Sequence, residues 1–254
     1  MMEINARDTL GHRLLMGVVA PATNTVVQPE MEALRPDGVV NAHARIANPE
    51  QRVQAEADAL TVRSAMVDGL MAALDTLAPC KPDHLILGVM VENFVGGGAA
   101  GAKLIAEAGA RLDCGVTDYS SAVLAALDAL FGRRVHIGLL TPFLPGGDAA
   151  ARAIFEGAGH EVVRLIGLRA PSPGSIGRVP LERLRQAVRD LDGPEVEVII
   201  QVGTGLPFAA MAREAEMALG KPVLASNPVS YWRALRQAGI ADAMPEKGAL
   251  FTRP

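Results

Sequence analysis

Gly17-Val18-Val19-Ala20-Pro21 returns in the second half of the chain as Gly138-Leu139-Leu140-Thr141-Pro142. Each copy is an apolar run closed by a proline, as expected of a buried strand that delivers its chain into a turn. Downstream of each comes a second buried strand ending in a polar, glycine-containing turn: Leu85–Asn93 in the first half, Val198–Leu206 in the second. One strand–helix–strand unit is thus used twice.

Working outward, strands alternate with helices throughout. Leu14–Ala20 reads as a strand, a helix follows around Val26–Leu34, and Val39–Ile46 is a second strand. Val62, Met66, Leu70, Leu74 and Leu77 recur at helical spacing, so one face of a long helix is core. His84–Val89 is a strand, the glycines from Gly96 lead into a helix, and Val123, Leu127, Leu130 and Phe131 mark the next. The series restarts with a strand at Val135–Leu140, a helix at Ala149–Gly157, a strand at Glu161–Leu168 and a helix at Leu181–Leu191. A strand at Val196–Val202, a helical stripe from Phe208 to Leu219, a strand at Pro222–Ala225 and a helix at Val229–Ala238 complete it. The expected fold is α/β: two pseudo-symmetric Rossmann-like (flavodoxin-like) lobes, each a parallel sheet flanked by helices. Residues 1–117 with 227–254 form one lobe, and 118–226 the other. Ligands of open parallel sheets sit at the carboxyl ends of the strands, so the site belongs in the cleft between the lobes.

Composition narrows the class. Of 254 residues 50% are hydrophobic and only 4% aromatic, the mixture of short buried strands under Ala-rich helices. The net charge of −4 carries no basic run, which excludes the electrostatic footprint of a nucleic-acid binder. Met1–Thr9 is not a signal peptide and no apolar stretch spans a bilayer, so a cytoplasmic protein without membrane contact is expected. Cys80 and Cys114 make neither a disulfide framework nor a metal spacing, and His12, His43, His84, His136 and His160 form no ligand set. No metal and no cofactor are expected.

Four loops carry the chemistry. In Thr23-Asn24-Thr25, Asn24 or Thr25 can cap the following helix, and the helix's free N–H groups suit a carboxylate. Met90-Val91-Glu92-Asn93 puts a carboxylate just beyond a buried strand, where poor solvation raises its pKa toward the range of general acid–base work. Gly203-Thr204-Gly205 is an amide-lined turn suited to an anion or an enolate oxygen, though glycines also serve plain tight turning. Asp118-Tyr119-Ser120-Ser121 reads mainly as a helix cap. The run Gly96-Gly97-Gly98-Ala99-Ala100-Gly101 matches a dinucleotide fingerprint in form. It lacks the acidic residue at the end of a following strand, so it reads as flexible glycines beside a site.

These pieces resemble the aspartate/glutamate racemase superfamily, in its maleate isomerase and arylmalonate decarboxylase branch. The resemblance rests on Gly17–Thr25, on Arg133-Arg134-Val135-His136-Ile137-Gly138-Leu139-Leu140-Thr141-Pro142-Phe143, and on Gly220-Lys221-Pro222-Val223-Leu224-Ala225-Ser226-Asn227-Pro228. It implies a cofactor-independent enzyme, a homo-oligomer, and a substrate carboxylate held by Asn24. It also implies catalytic thiols at Met90 or Val91 and at Gly203 or Thr204, and this sequence has neither. Phe143 stands where many relatives have tyrosine. The expected function is therefore isomerase- or decarboxylase-like chemistry on a small carboxylate or carbonyl compound, with Glu92 as the acid–base group. Thr23, Asn24, Thr25, Met90, Val91, Asn93, Phe143, Gly203, Thr204 and Gly205 would contact the substrate. Two other readings stay open: hydrolysis of a small cyclic amide or lactone, and a ligand-binding member without catalysis.

Overall fold

The computed structural model describes residues 7–91 and 98–254. The first half runs β1 (Leu14–Pro21), α1 (Val27–Leu34), β2 (Val39–Ile46), α2 (Glu56–Leu77), β3 (His84–Leu87), α3 (Gly98–Leu112) and β4 (Gly115–Thr117). After α4 (Tyr119–Phe131) the second half runs β5 (His136–Thr141), α5 (Pro145–Gly157), β6 (Glu161–Gly167), α6 (Leu181–Leu191), β7 (Val198–Gln201), α7 (Ala209–Leu219), β8 (Val223–Ala225) and α8 (Ser226–Gln237). The strands form two four-stranded sheets of order β2-β1-β3-β4 and β6-β5-β7-β8, and every pairing is parallel. The repeated pentapeptides are thus the same strand twice, each at the second position of its sheet.

Burial explains the layering. β3 and β7 are buried along their whole length, as strands covered on both faces must be. Behind the first sheet, Val62, Met66, Leu70, Leu74 and Leu77 of α2 pack with Leu85, Leu87 and Leu104. Behind the second, Leu184 and Val188 of α6 and Met211 of α7 pack with Leu140 and Ile199. The inner faces of both sheets share one core. Met16, Val18 and Ile86 reach Leu139, Val198 and Ile200 through Tyr119, Val123, Leu127, Tyr231, Trp232 and Leu235 of α4 and α8.

The largest differences from expectation have local reasons. β4 is only Gly115-Val116-Thr117, too short to show a strand period. α5 begins at Pro145 and α8 at Ser226, both earlier than expected. Pro145 and Pro228 look like breaks in sequence, but each falls in the first turn, where a missing N–H costs nothing. No helix among the described residues is long and apolar enough to cross a membrane.

Candidate functional site

A cavity of about 160 Å³ lies at the carboxyl ends of the central strands. For scale, an engineered apolar cavity of about 150 Å³ holds one benzene. Its wall takes Pro21, Thr23 and Asn24 from the end of β1, and Val89 and Met90 from the chain after β3. Pro142, Phe143 and Leu144 come from the end of β5, and Gly203, Thr204 and Gly205 from the turn after β7. The repeated unit therefore supplies matching loops from both sheets, the arrangement that the parallel topology favours.

Asn24 and Thr204 join these loops. The Asn24 side-chain oxygen accepts from the N–H groups of Val26 (2.9 Å) and Val27 (3.0 Å), just ahead of and at the start of α1, and among the described residues Thr25 makes no such bond. Its amide nitrogen donates to Thr204 Oγ1 at 3.2 Å, and that hydroxyl donates to the Gly88 carbonyl at 2.9 Å. Close by, the Glu30 carboxylate accepts from the Ala209 N–H at the start of α7 (2.9 Å) and from the Asn227 amide (2.7 Å). Asn227 also donates to the Thr204 carbonyl at 3.0 Å. Burial pushes the Glu30 carboxyl above the usual carboxylate range, against the pull of those donors. Asn24 and Thr204, read as substrate contacts from the sequence, thus hold the two halves together as well as lining the cavity.

The turn after β7 is the polar feature left over. Gly203 has φ +109°, and a Cβ there would lie 2.8 Å from Pro142 Cδ, so only glycine fits. Gly203 N–H donates to Ser226 Oγ at 3.0 Å, which anchors the turn to the start of α8. Among the described residues the N–H groups of Thr204 and Gly205 donate to nothing. Two adjacent amides beside a cavity suit a developing oxyanion.

The rest of the wall is largely apolar, and part of it escaped the sequence reading. Ala59, Val62, Arg63 and Met66 of α2 line it at i, i+3, i+4 and i+7, one helix face. The stripe that marked α2 as core contained Val62 and Met66, so extending it by one neighbour would have found Arg63. Asn48 and Val53 also line the cavity from the chain before α2, and Ser172 and Ile176 from the cap and body of a short 3-10 helix, Pro173–Arg178, none with a periodic signal. Asn48 pairs reciprocally with Thr23: its amide nitrogen donates to Thr23 Oγ1 (3.0 Å), and its oxygen accepts from Thr23 N–H (3.3 Å). The segment before α2 crosses to the second half of the chain. Val53 N–H donates to the Pro171 carbonyl at 2.7 Å, Glu50 accepts from Gly174 N–H at 2.7 Å, and Glu56 accepts from Gly146 N–H at 2.9 Å.

Of the residues expected at the site, Thr23, Asn24, Met90, Phe143, Gly203, Thr204 and Gly205 come together around the cavity. Two are corrected. Thr25 is exposed and outside the wall. Val91 packs into the core behind the first sheet at 1% exposure. Glu92 and Asn93, with Gly96 and Gly97 of the glycine run, lie outside the described residues. Asp118 caps α4, accepting from Ser121 N–H at 3.0 Å. Neither cysteine lines the cavity. Cys80 is exposed before β3, and Cys114 precedes β4 with its thiol pushed up to about 11, first by burial and then by Asp113 and Asp83. Among the described residues no cluster of histidine, cysteine or carboxylate side chains could hold a metal ion.

Comparison with known proteins places this geometry. The chain is similar in structure to a Nocardia farcinica maleate cis-trans isomerase bound to TRIS, with TM-score 0.83 and 22% identity over 94% of this chain and 98% of that one. A mutant of the same enzyme holding a covalently bound succinylcysteine intermediate matches with TM-score 0.82, at 22% identity and the same coverage. An arylmalonate decarboxylase mutant in its liganded form matches with TM-score 0.75 and 22% identity, over 93% of this chain and 97% of that one. No curated protein matches by sequence. The arylmalonate decarboxylase family model matches residues 16–251, nearly the whole described chain, and the protein belongs to that family.

Proposed function

We propose that this protein is a cofactor-independent enzyme that isomerises or decarboxylates a small carboxylate through an enolate-like intermediate, without a catalytic thiol. The observation that carries the reading is the pair of unengaged N–H groups at Thr204 and Gly205, set at a strand end beside a mostly apolar cavity that neither cysteine reaches. In decarboxylation, the electron pair of the C–CO₂ bond moves into the developing enolate as carbon dioxide leaves. The two amides would stabilise the enolate oxygen, and a proton would then be delivered to carbon. In isomerisation at a saturated α-carbon, removal of its proton would give the same species, and return of a proton to the opposite face would complete the step.

The proton carrier in this reading is Glu92, which follows the cavity-lining Met90 by two positions in the chain. A carboxyl group can serve as acid or base in either step. Decarboxylation of phenylmalonate, followed by mass spectrometry, tests it with Glu92→Gln beside the wild type. Product from the wild type, and a rate at least ~100-fold lower in the variant, is the expected result. Equal rates would remove Glu92 from the mechanism.

A second reading is favoured by one observation: Arg63 is the single charged side chain among the described residues of the wall. A cavity that binds carboxylates without converting them would fit that poverty of acid–base groups, and it would show affinity in the same screen without any product.

A further inference from the structure

Arg63 is the feature of the cavity that neither the oxyanion turn nor the proton carrier uses. Its side chain is only 23% exposed. A guanidinium brings five N–H donors, and taking it out of water is costly unless carboxylates or carbonyls satisfy them. Among the described residues the Arg63 guanidinium makes no hydrogen bond. The Glu56 carboxylate is 3.6 Å from Nη2, an ion pair beyond hydrogen-bond length, and is about half exposed. Glu56 also gives an oxygen to the Gly146 N–H. Its neighbours on the same helix face, Ala59, Val62 and Met66, carry no side-chain acceptor. An underused planar cation on an apolar wall is suited to bidentate capture of a carboxylate, and the low local polarity strengthens such a pair.

We propose that Arg63 is a specificity-determining residue of this site, receiving a carboxylate of the substrate that takes no part in bond breaking. This rests on the small-carboxylate reading above and adds a requirement to it. A good substrate must carry an anionic group separate from its reacting centre, joined to it by a short apolar span. Held at Arg63, that group would fix the reacting end at the turn of Thr204 and Gly205.

Calorimetric titration with succinate and butyrate tests the assignment. The two probes share a four-carbon chain and differ by one carboxylate. The wild type is expected to bind succinate roughly 10- to 100-fold more tightly than butyrate, the usual worth of a charged hydrogen-bonded pair. Arg63→Gln, and Arg63→Met as an uncharged variant that keeps more of the stem, are expected to bring that preference to within about threefold. They should do so by weakening succinate alone. Equal binding of both probes by the wild type, or an unchanged preference in either folded variant, would overturn the role of Arg63 and leave the carboxylate reading standing. Failure of the wild type to bind either probe would overturn both.

Discussion

At Gly203 the backbone turns through φ +109°, with Pro142 Cδ 2.8 Å from where a Cβ would stand. This is one of the two positions at which the resemblance implied the second catalytic thiol, and its geometry admits no side chain. The other position, Thr204, spends its hydroxyl on Gly88 and Asn24. At Gly203, therefore, the backbone itself leaves no room for a side chain. Gly203→Ala should lower stability by about 1–3 kcal/mol through strain, read as a shift in urea midpoint. Thr204→Val should cost a similar ~1–3 kcal/mol, since it strands the Gly88 carbonyl and the Asn24 amide, whereas Thr204→Ser should stay near wild type. Most of the wall was legible because it follows strand ends, which glycines and prolines announce. Thr25 and Val91 do not line it, because an exposed loop position and a core position share the composition of a binding loop. Arg63 was passed over because its helix was read only for its apolar stripe.

Among the elements, the short strands show what periodicity cannot carry. β4 escaped notice with three residues, yet it is held by side chains as well as by its ladder. His84 Nε2 lies 2.8 Å from Thr117 Oγ1, which donates to Gln237 Oε1 at 2.5 Å, so β3, β4 and α8 are tied at the edge of the first sheet. Burial lowers the His84 pKa to about 4, which keeps the ring neutral in the fold. Unfolded, the ring titrates near 6.5, so between that pH and about 4 the unfolded chain takes up a proton that the native chain does not. Stability from this group is complete above pH 6.5 and declines as the pH falls through the window, by about 3 kcal/mol in full. Urea midpoints measured from pH 7 to pH 4 should show that slope, and His84→Gln should flatten it; an unaltered slope in the variant would assign the effect to other groups. The segment leading into α2 drew no reading from the sequence. Its contacts run through Glu50, Val53 and Glu56 to the other half of the chain, and neither charge pattern nor period signals such pairing.

For the whole molecule, the repeat of one pentapeptide was enough to read two sheets of like topology, because a buried strand and its turn are written in consecutive residues. The joint between the halves was not legible, since it depends on residues far apart in sequence: Glu30 with Ala209 and Asn227, Asn24 with Thr204. Glu30→Ala should leave the Ala209 N–H without an acceptor and Asn227 with the Thr204 carbonyl alone, and lower stability by about 1–3 kcal/mol. Amide exchange should then accelerate at the start of α7 before it does in β3 or β7. The most direct test of the account is the rate of product formation from a small carboxylate by wild type, by the cysteine-free double variant Cys80→Ser/Cys114→Ser and by Glu92→Gln, measured side by side. The account predicts equal rates for the first two and a rate at least ~100-fold lower for the third. Activity that vanishes with the cysteines, or survives unchanged without the Glu92 charge, would contradict it.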